Sequence, residues 1–269
     1  MNHKKTPLPT MRSQSKMTTE PSIILISDLH LTPQSPAIFH HFDKFINSLR
    51  NISHLYILGD LFEYWLGDDT ARELGHLPVE NILQDLATRG TKIYFIPGNR
   101  DFLIGSDFAF RTGVSILNDA SVHRLFQSCV LLLHGDSLCT DDHEHQTFRS
   151  LVNNSDWQLN FLKKSIGERE AIAQSIRFQS NIDKRYKSSE IMDVNQSTVM
   201  TTFELTGTTL MIHGHTHRPG IHQWISNGKQ FSRIVLGDWS SGASWIEFSK
   251  SQLTLHYKQV SESLLYDET

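Results

Sequence analysis

Ile23-Ile24-Leu25-Ile26-Ser27-Asp28-Leu29-His30 opens as an unbroken apolar run and closes on two side chains that bind metal ions. A strand buried on both faces reads as such a run, and in layered α/β folds ligands gather where strands end. Four more runs stop the same way. Leu55-Tyr56-Ile57-Leu58 leads to Gly59-Asp60, and Ile93-Tyr94-Phe95-Ile96 leads to Gly98-Asn99-Arg100-Asp101. Val130-Leu131-Leu132-Leu133 leads to His134-Gly135-Asp136, and Leu210-Met211-Ile212 to His213-Gly214-His215-Thr216-His217. Five such endings in order predict one polynuclear metal site at strand ends.

Helical spacing fills the gaps. Ile38, Phe42, Phe45, Ile46 and Leu49 recur every three or four residues, as do Val79, Ile82, Leu83 and Leu86 before Gly90, a predicted C-terminal cap. Strand, helix, strand, helix, strand follows. Between His134 and His213 the pattern becomes helical and charged, with Trp157, Phe161, Leu162, Ile166, Ile172 and Ile176 at helical spacings. This reads as a helical insertion that either covers the site or packs on the core without touching substrate. Beyond His217 strands return at Arg233–Leu236, Ser244–Phe248 and Leu253–Tyr257. Asn227-Gly228 supplies the turn of a hairpin before the first of them.

The 269 residues suffice for one domain with an insertion. A formal charge of -4 argues against bulk nucleic-acid binding, so no nucleic-acid partner is expected. Cys129 and Cys139 are the only cysteines, so no disulfide framework is implied and zinc held by thiolates is set aside. Residues 1–20 are polar and lack the apolar segment of roughly 7 to 15 residues that a secretory signal needs; they are expected to be a disordered extension. No segment approaches the ~20 apolar residues of a transmembrane span.

Asp28 and His30, two apart, can face one ion together. A carboxylate such as Asp60, after a glycine turn, can bridge two cations. Asn99 is an unusual neutral ligand flanked by Gly98 and Arg100-Asp101, and three alternating histidines cannot all be lost into an apolar core without partners. Nitrogen and oxygen ligands without sulfur suit Mn, Fe or Zn. Seven ligands, one of them shared, fit two ions roughly 3.5 to 4 Å apart, a geometry for metal-assisted hydrolysis of a phosphate ester or anhydride.

The blocks Asp-x-His, Gly-Asp, Gly-Asn-x-Asp, His and Gly-His-x-His resemble, in order, those of the calcineurin-like metallophosphoesterases from Ser22 onward. The resemblance implies a four-layer αββα metallophosphoesterase sandwich with a helical cap insertion at about residues 140–195, within a catalytic domain spanning 21–269. It implies one ion on Asp28, His30, Asp60 and His215, and another on Asp60, Asn99, His134 and His213. Arg100 departs from the family's usual histidine. Arginine does not give up its proton near neutrality but can bind phosphate oxygens bidentately. A phosphate leaving group needs no proton, so Arg100 favours pyrophosphate cleavage, unless it merely pairs with Asp101 or another carboxylate.

Longer strings, among them Leu58–Asp69, His134–Asp142 and Ile191–Gln196, are similar to a lipid A branch of that family. That likeness implies hydrolysis of UDP-2,3-diacylglucosamine to UMP and the acylated sugar 1-phosphate, with water attacking the α-phosphorus and two Mn(II) ions per chain. A broader nucleotide-sugar pyrophosphatase or phosphodiesterase is the alternative. It also implies an acylated UDP-sugar as partner and peripheral contact with lipid on the cytoplasmic face of the bacterial inner membrane. By matching positions Asn99, Arg100 and His213 are catalytic, and Asn99, Arg100, Asp142, Ser180, Lys187 and His213 contact substrate. Arg177 is a further candidate for the phosphate charge. Lys184 stands where the family more often has Asn and can still donate to phosphate or sugar oxygens. Cap residues such as Trp157, Phe161, Ile172 and Phe178 either line an acyl groove or pin the cap to the body.

Overall fold

Alternate residues of the first strand face two different cores, which is why its sequence is apolar throughout. Ile24 and Ile26 pack among helical Phe42, Phe45, Ile46 and Leu83, while Ile23 and Leu25 pack against Val130, Leu132, Ile212 and Ile234 of a second sheet. The computed structural model describes residues 20–188 and 190–265, without the side chains of 181–186. The expected disordered extension at 1–20 lies, apart from Glu20, outside the described residues.

The first half runs β1 (Ser22–Ile26), α1 (Pro36–Ser48), β2 (Ile52–Ile57), α2 (Leu77–Thr88), β3 (Lys92–Phe95), α3 (Ser106–Thr112), β4 (Val114–Ile116), β5 (Ser121–Leu125) and β6 (Ser128–Leu132). Then come α4 (His143–Val152), α5 (Ser155–Leu162), α6 (Ile166–Tyr186), α7 (Gln196–Thr206), β7 (Leu210–His213), β8 (Gly220–Ser226), β9 (Lys229–Val235), β10 (Trp245–Phe248), β11 (Gln252–Tyr257) and β12 (Val260–Leu265). One sheet has the order β12-β11-β10-β1-β2-β3-β4 and the other β5-β6-β7-β9-β8. Within them β1 to β4 are mutually parallel, as are β6, β7 and β9.

Three cores stack to give four layers. Helices α1, α2 and α3 cover the outer face of the first sheet through Phe42, Leu83 and Phe108. The two sheets meet over Leu58, Ile96, Leu132, Ile212 and Phe248. On the far side Val199 and Phe203 of α7 cover Leu131, Leu133 and Met211. The four-layer αββα sandwich expected from the sequence is therefore present. Helix α7 belongs to its outer layer, whereas α4, α5 and α6 form the insertion between β6 and β7.

Parallel strands put like ends on the same side. The carboxyl ends of β1, β2 and β3 meet those of β6 and β7, and the chain stays paired beyond the strands: the His30 amide donates to Asp60 O at 3.0 Å and the Gly214 amide to His134 O at 2.8 Å. The predicted hairpin joins β8 to β9, with Asn227 and Gly228 both at positive φ (50° and 72°).

Candidate active site

Five side chains at this edge sit on strained backbone. Asp28, His30, Asp60, His215 and His217 have φ of 57°, 51°, 52°, 64° and 56°, a left-handed conformation uncommon outside glycine. Each costs on the order of 1–3 kcal/mol and persists only where its surroundings impose it. The imposing contacts are local. A Cβ on Gly59 would lie 2.5 Å from His134 Nδ1 and 2.7 Å from Gly98 Cα, so only glycine lets these loops close together. Asp101, fully buried, gathers the loops by accepting from the amides of Asp60 (3.2 Å), Gly98 (2.9 Å), Leu61 (2.8 Å) and Phe62 (3.4 Å). Burial and the Asp60 carboxylate push Asp101 up to about 7 against those donors.

The result is two overlapping groups of metal-competent atoms: Asp28, His30 and His217, and Asp28, Asp60 and His134. Asp60 spans them, with Oδ1 3.6 Å from His134 Nε2 and Oδ2 3.9 Å from His30 Nε2. Asn99 Oδ1 lies 3.0 Å from His134 Nε2 and 2.9 Å from His215 Nδ1, which draws both into the second group. His134 Nδ1 donates to Leu58 O at 2.8 Å, and this turns Nε2 toward the Asn99 oxygen. His30 Nε2 and His217 Nε2 face each other at 3.3 Å, and buried Asp28 Oδ1 accepts no hydrogen bond. Converging acceptors of this kind repel one another unless positive charge lies among them. The donor set fits a pair of divalent cations held by nitrogen and oxygen.

Electrostatics agree. Burial opposes a charge on His134, but Asp60 and Asp28 override it and raise the ring to about 9. His217 is likewise raised, to about 10, by Asp238 and Asp28 against burial. Burial would raise Asp28, yet His217 holds it below the usual carboxylate range. Asp238 Oδ2, 3.4 Å from His217 Nδ1, orients that ring from behind.

His213 departs from the expectation that it binds the second ion and touches substrate. It is still within β7, paired with Val235, and its ring is fully buried. Nδ1 donates to Gly214 O at 2.8 Å, and Nε2 accepts from Arg233 Nη1 at 3.0 Å. Burial and Arg233 lower it to about 3, so it is a neutral ring with both nitrogens in use. The correction has a physical cause: side chains inside a strand follow the sheet, and the loop that reaches the site begins only at Gly214. His217 takes the open place. The Gly-His-x-His block itself carried that signal, because its histidines fall on His215 and His217.

The remaining expected residues surround this cluster. Arg100 donates its amide to Asp60 Oδ1 at 2.9 Å, and its guanidinium lies 3.7 Å from Glu63, the carboxylate that also pairs with Arg177. Its partner is thus Glu63, while Asp101 is spent on backbone amides. A chamber of about 490 Å³ lies under the insertion, lined by Asp142, His145, Ser180, Lys187, His215 and His217 among others. Lys187 pairs with Asp142 at 2.6 Å. A narrower slot of about 140 Å³, lined by Tyr64, Trp65, Phe102, Trp157 and Phe161, opens from it and shares His145, Phe148, Ile176, Ser180 and His215. The side chain of Lys184 lies outside the described residues. Sequence reasoning also missed Glu63, Asp238 and His145, which are isolated polar residues until the loops meet.

Residues 21–219 match the family model described as calcineurin-like phosphoesterase. The chain is 45% identical over 228 residues to a UDP-2,3-diacylglucosamine hydrolase of Aromatoleum aromaticum, covering 84% of this chain and 93% of that protein. It is 43% identical over 223 residues to the protein of that name from Chromohalobacter salexigens, covering 82% and 90%. It is 43% identical over 239 residues to that from Aliivibrio fischeri, covering 88% and 99%.

Proposed function

Since the chain belongs to the calcineurin-like phosphoesterase family, we propose that it is the metal-dependent hydrolase that cleaves the pyrophosphate bond of UDP-2,3-diacylglucosamine. Water attacks the α-phosphorus, and the products are UMP and 2,3-diacylglucosamine 1-phosphate, an intermediate of lipid A synthesis. The observation that carries this reading is the convergence of Asp28, His30, Asp60, Asn99, His134, His215 and His217 at one edge of a sandwich, in a chain so similar to UDP-2,3-diacylglucosamine hydrolases over most of its length.

Asp28, His30, Asp60 and His217 would hold one ion, and Asp60, Asn99, His134 and His215 the other, with Mn(II) as the metal. Bound there, two divalent cations supply Lewis acidity to water and to the phosphoryl oxygens. The chain's own residues do the rest. Asp101 fixes the Asp60 loop, and Asp238 and Leu58 O set the faces of His217 and His134. Arg100 and Arg177, brought together by Glu63, stand beside Asn99 and meet the diphosphate oxygens. The departing sugar phosphate requires no proton, so neither arginine has to act as a general acid.

Helices α4, α5 and α6 act as a cap. Asp142, Ser180 and Lys187 contact the sugar and phosphate, and the slot between Trp65, Phe102, Trp157 and Phe161 takes acyl chain. No helix among the described residues is long and apolar enough to cross a membrane, while the cap exposes Phe178 and also Leu159, one turn before Lys163 and Lys164. The exposed apolar and basic side chains support peripheral contact with lipid, and the cytoplasmic face of the inner membrane is the proposed location.

Hydrolysis in ¹⁸O-labelled water tests the reading. The label is expected in UMP alone; label in the sugar phosphate, or release of UDP, contradicts it. Equal turnover of UDP-glucosamine without acyl chains would instead support a broader nucleotide-sugar pyrophosphatase.

A further inference from the structure

The chamber and slot under the cap are one space, because they share His145, Phe148, Ile176, Ser180 and His215. A third cavity, of about 440 Å³, lies on the other side of the loop after β3. It meets the slot only at Asn99 and Phe102 and takes no residue from α5 or α6. Its walls are Pro97, Ile116, Asn118, Val152 and Asn153, with Asp119, Asp136 and Arg149 at its base. Arg149 spans the two acids at 3.0 Å each, and Asp119 also accepts the His134 amide at 3.1 Å. The base is therefore fixed, with one guanidinium shared between two carboxylates.

A substrate with its diphosphate at Asn99 carries two unlike halves, and this edge of the molecule offers two unlike rooms. The acylated sugar requires the apolar slot under the cap. We propose that the groove between the loop after β3 and the C-terminal turn of α4 is the nucleoside subsite, holding the uridine of the substrate. The assignment rests on the reading of the substrate as a two-ended UDP-sugar. Asn118 and Asn153 are exposed amides, each with a donor and an acceptor. These match the N3–H and the two carbonyls of uracil. Phe102, half-exposed, and Ile116 offer apolar surface to the base. After cleavage UMP leaves by the groove and the acylated product by the cap, so neither has to pass the other.

Filling the groove tests this. Asn118→Trp and Asn153→Trp change exposed residues that make no part of the metal cluster, and their thermal midpoints verify folding. UMP and 2,3-diacylglucosamine 1-phosphate are each titrated calorimetrically into Mn(II)-loaded wild type and variants. The expected result is UMP binding weakened about tenfold or more, a loss of at least ~1.4 kcal/mol, with the acylated product bound within about twofold of wild type. Unchanged UMP binding in both variants overturns the proposal, and so does equal weakening of both products. Because UMP binding is read directly, absent turnover of the acylated substrate would overturn only the reading of the reaction.

Discussion

His213 and His217 are four residues apart and chemically identical, yet their surroundings give them opposite work. His213 lies inside β7 with both nitrogens bonded, and Arg233 keeps it neutral. His217 lies beyond the strand on left-handed backbone, 3.3 Å from both Asp28 Oδ1 and His30 Nε2. His217→Ala is expected to lower bound metal from two ions toward one per chain, measured by elemental analysis. Its activity should fall by more than the ~10–100-fold typical of an outer partner. His213→Leu should keep two ions and instead lose roughly 1–3 kcal/mol of stability, because Arg233 is left buried beside an apolar group. Metal lost in the second variant and kept in the first would reverse the assignment.

Elements set what each residue can reach, and the cap is the clearest case. Arg169 of α6, 3% exposed, donates to Leu66 O at 2.6 Å and to both oxygens of Asp69, at 2.8 and 2.5 Å. Asp69 is largely solvated, so the ion pair contributes little and the buried carbonyl contributes more. Arg169→Ala is expected to loosen the cap by about 1–3 kcal/mol. Hydrogen exchange in α6 should quicken and KM for the acylated substrate rise, with the β-strands unaffected; unchanged exchange would show that the cap is held elsewhere. At this scale the sequence was legible wherever burial is two-sided. β1, β2, β3, β6 and β7 are continuous apolar runs because both faces are covered. β5 and β12 went unread, since Ser121–Leu125 and Val260–Leu265 alternate with exposed residues at a sheet edge. The seven residues of α3 are too few to show a period. The sequence brought out Asp28, His30, Asp60, Asn99, His134 and His215, which meet at this edge, but put His213 in the place of His217 and so missed the final pairing. That pairing depends on loop backbone at Asp28, His30, Asp60, His215 and His217, which no periodicity encodes.

The whole molecule carries its metal edge on a packed base, and one buried histidine in that base makes stability sensitive to acid. His76 lies against Phe62 and Trp65, with ring centroids 4.6 and 5.3 Å away, and burial lowers it from 6.5 to about 4. The folded state therefore favours the neutral ring. Its contribution is complete above pH 6.5 and is lost as pH falls from there through about 4, for roughly 3 kcal/mol in all. Thermal midpoints of wild type and His76→Phe, followed over that range, should diverge, with the variant the less acid-sensitive. Parallel curves would mean that the acid sensitivity arises elsewhere.

The proposed cleavage of an acylated UDP-sugar depends on metal held by the seven converging ligands. Its most direct test is to strip the protein with chelator and follow UMP release from UDP-2,3-diacylglucosamine. Release is expected to cease and to return when Mn(II) is added. UMP release that persists at its original rate in the stripped protein would contradict the account.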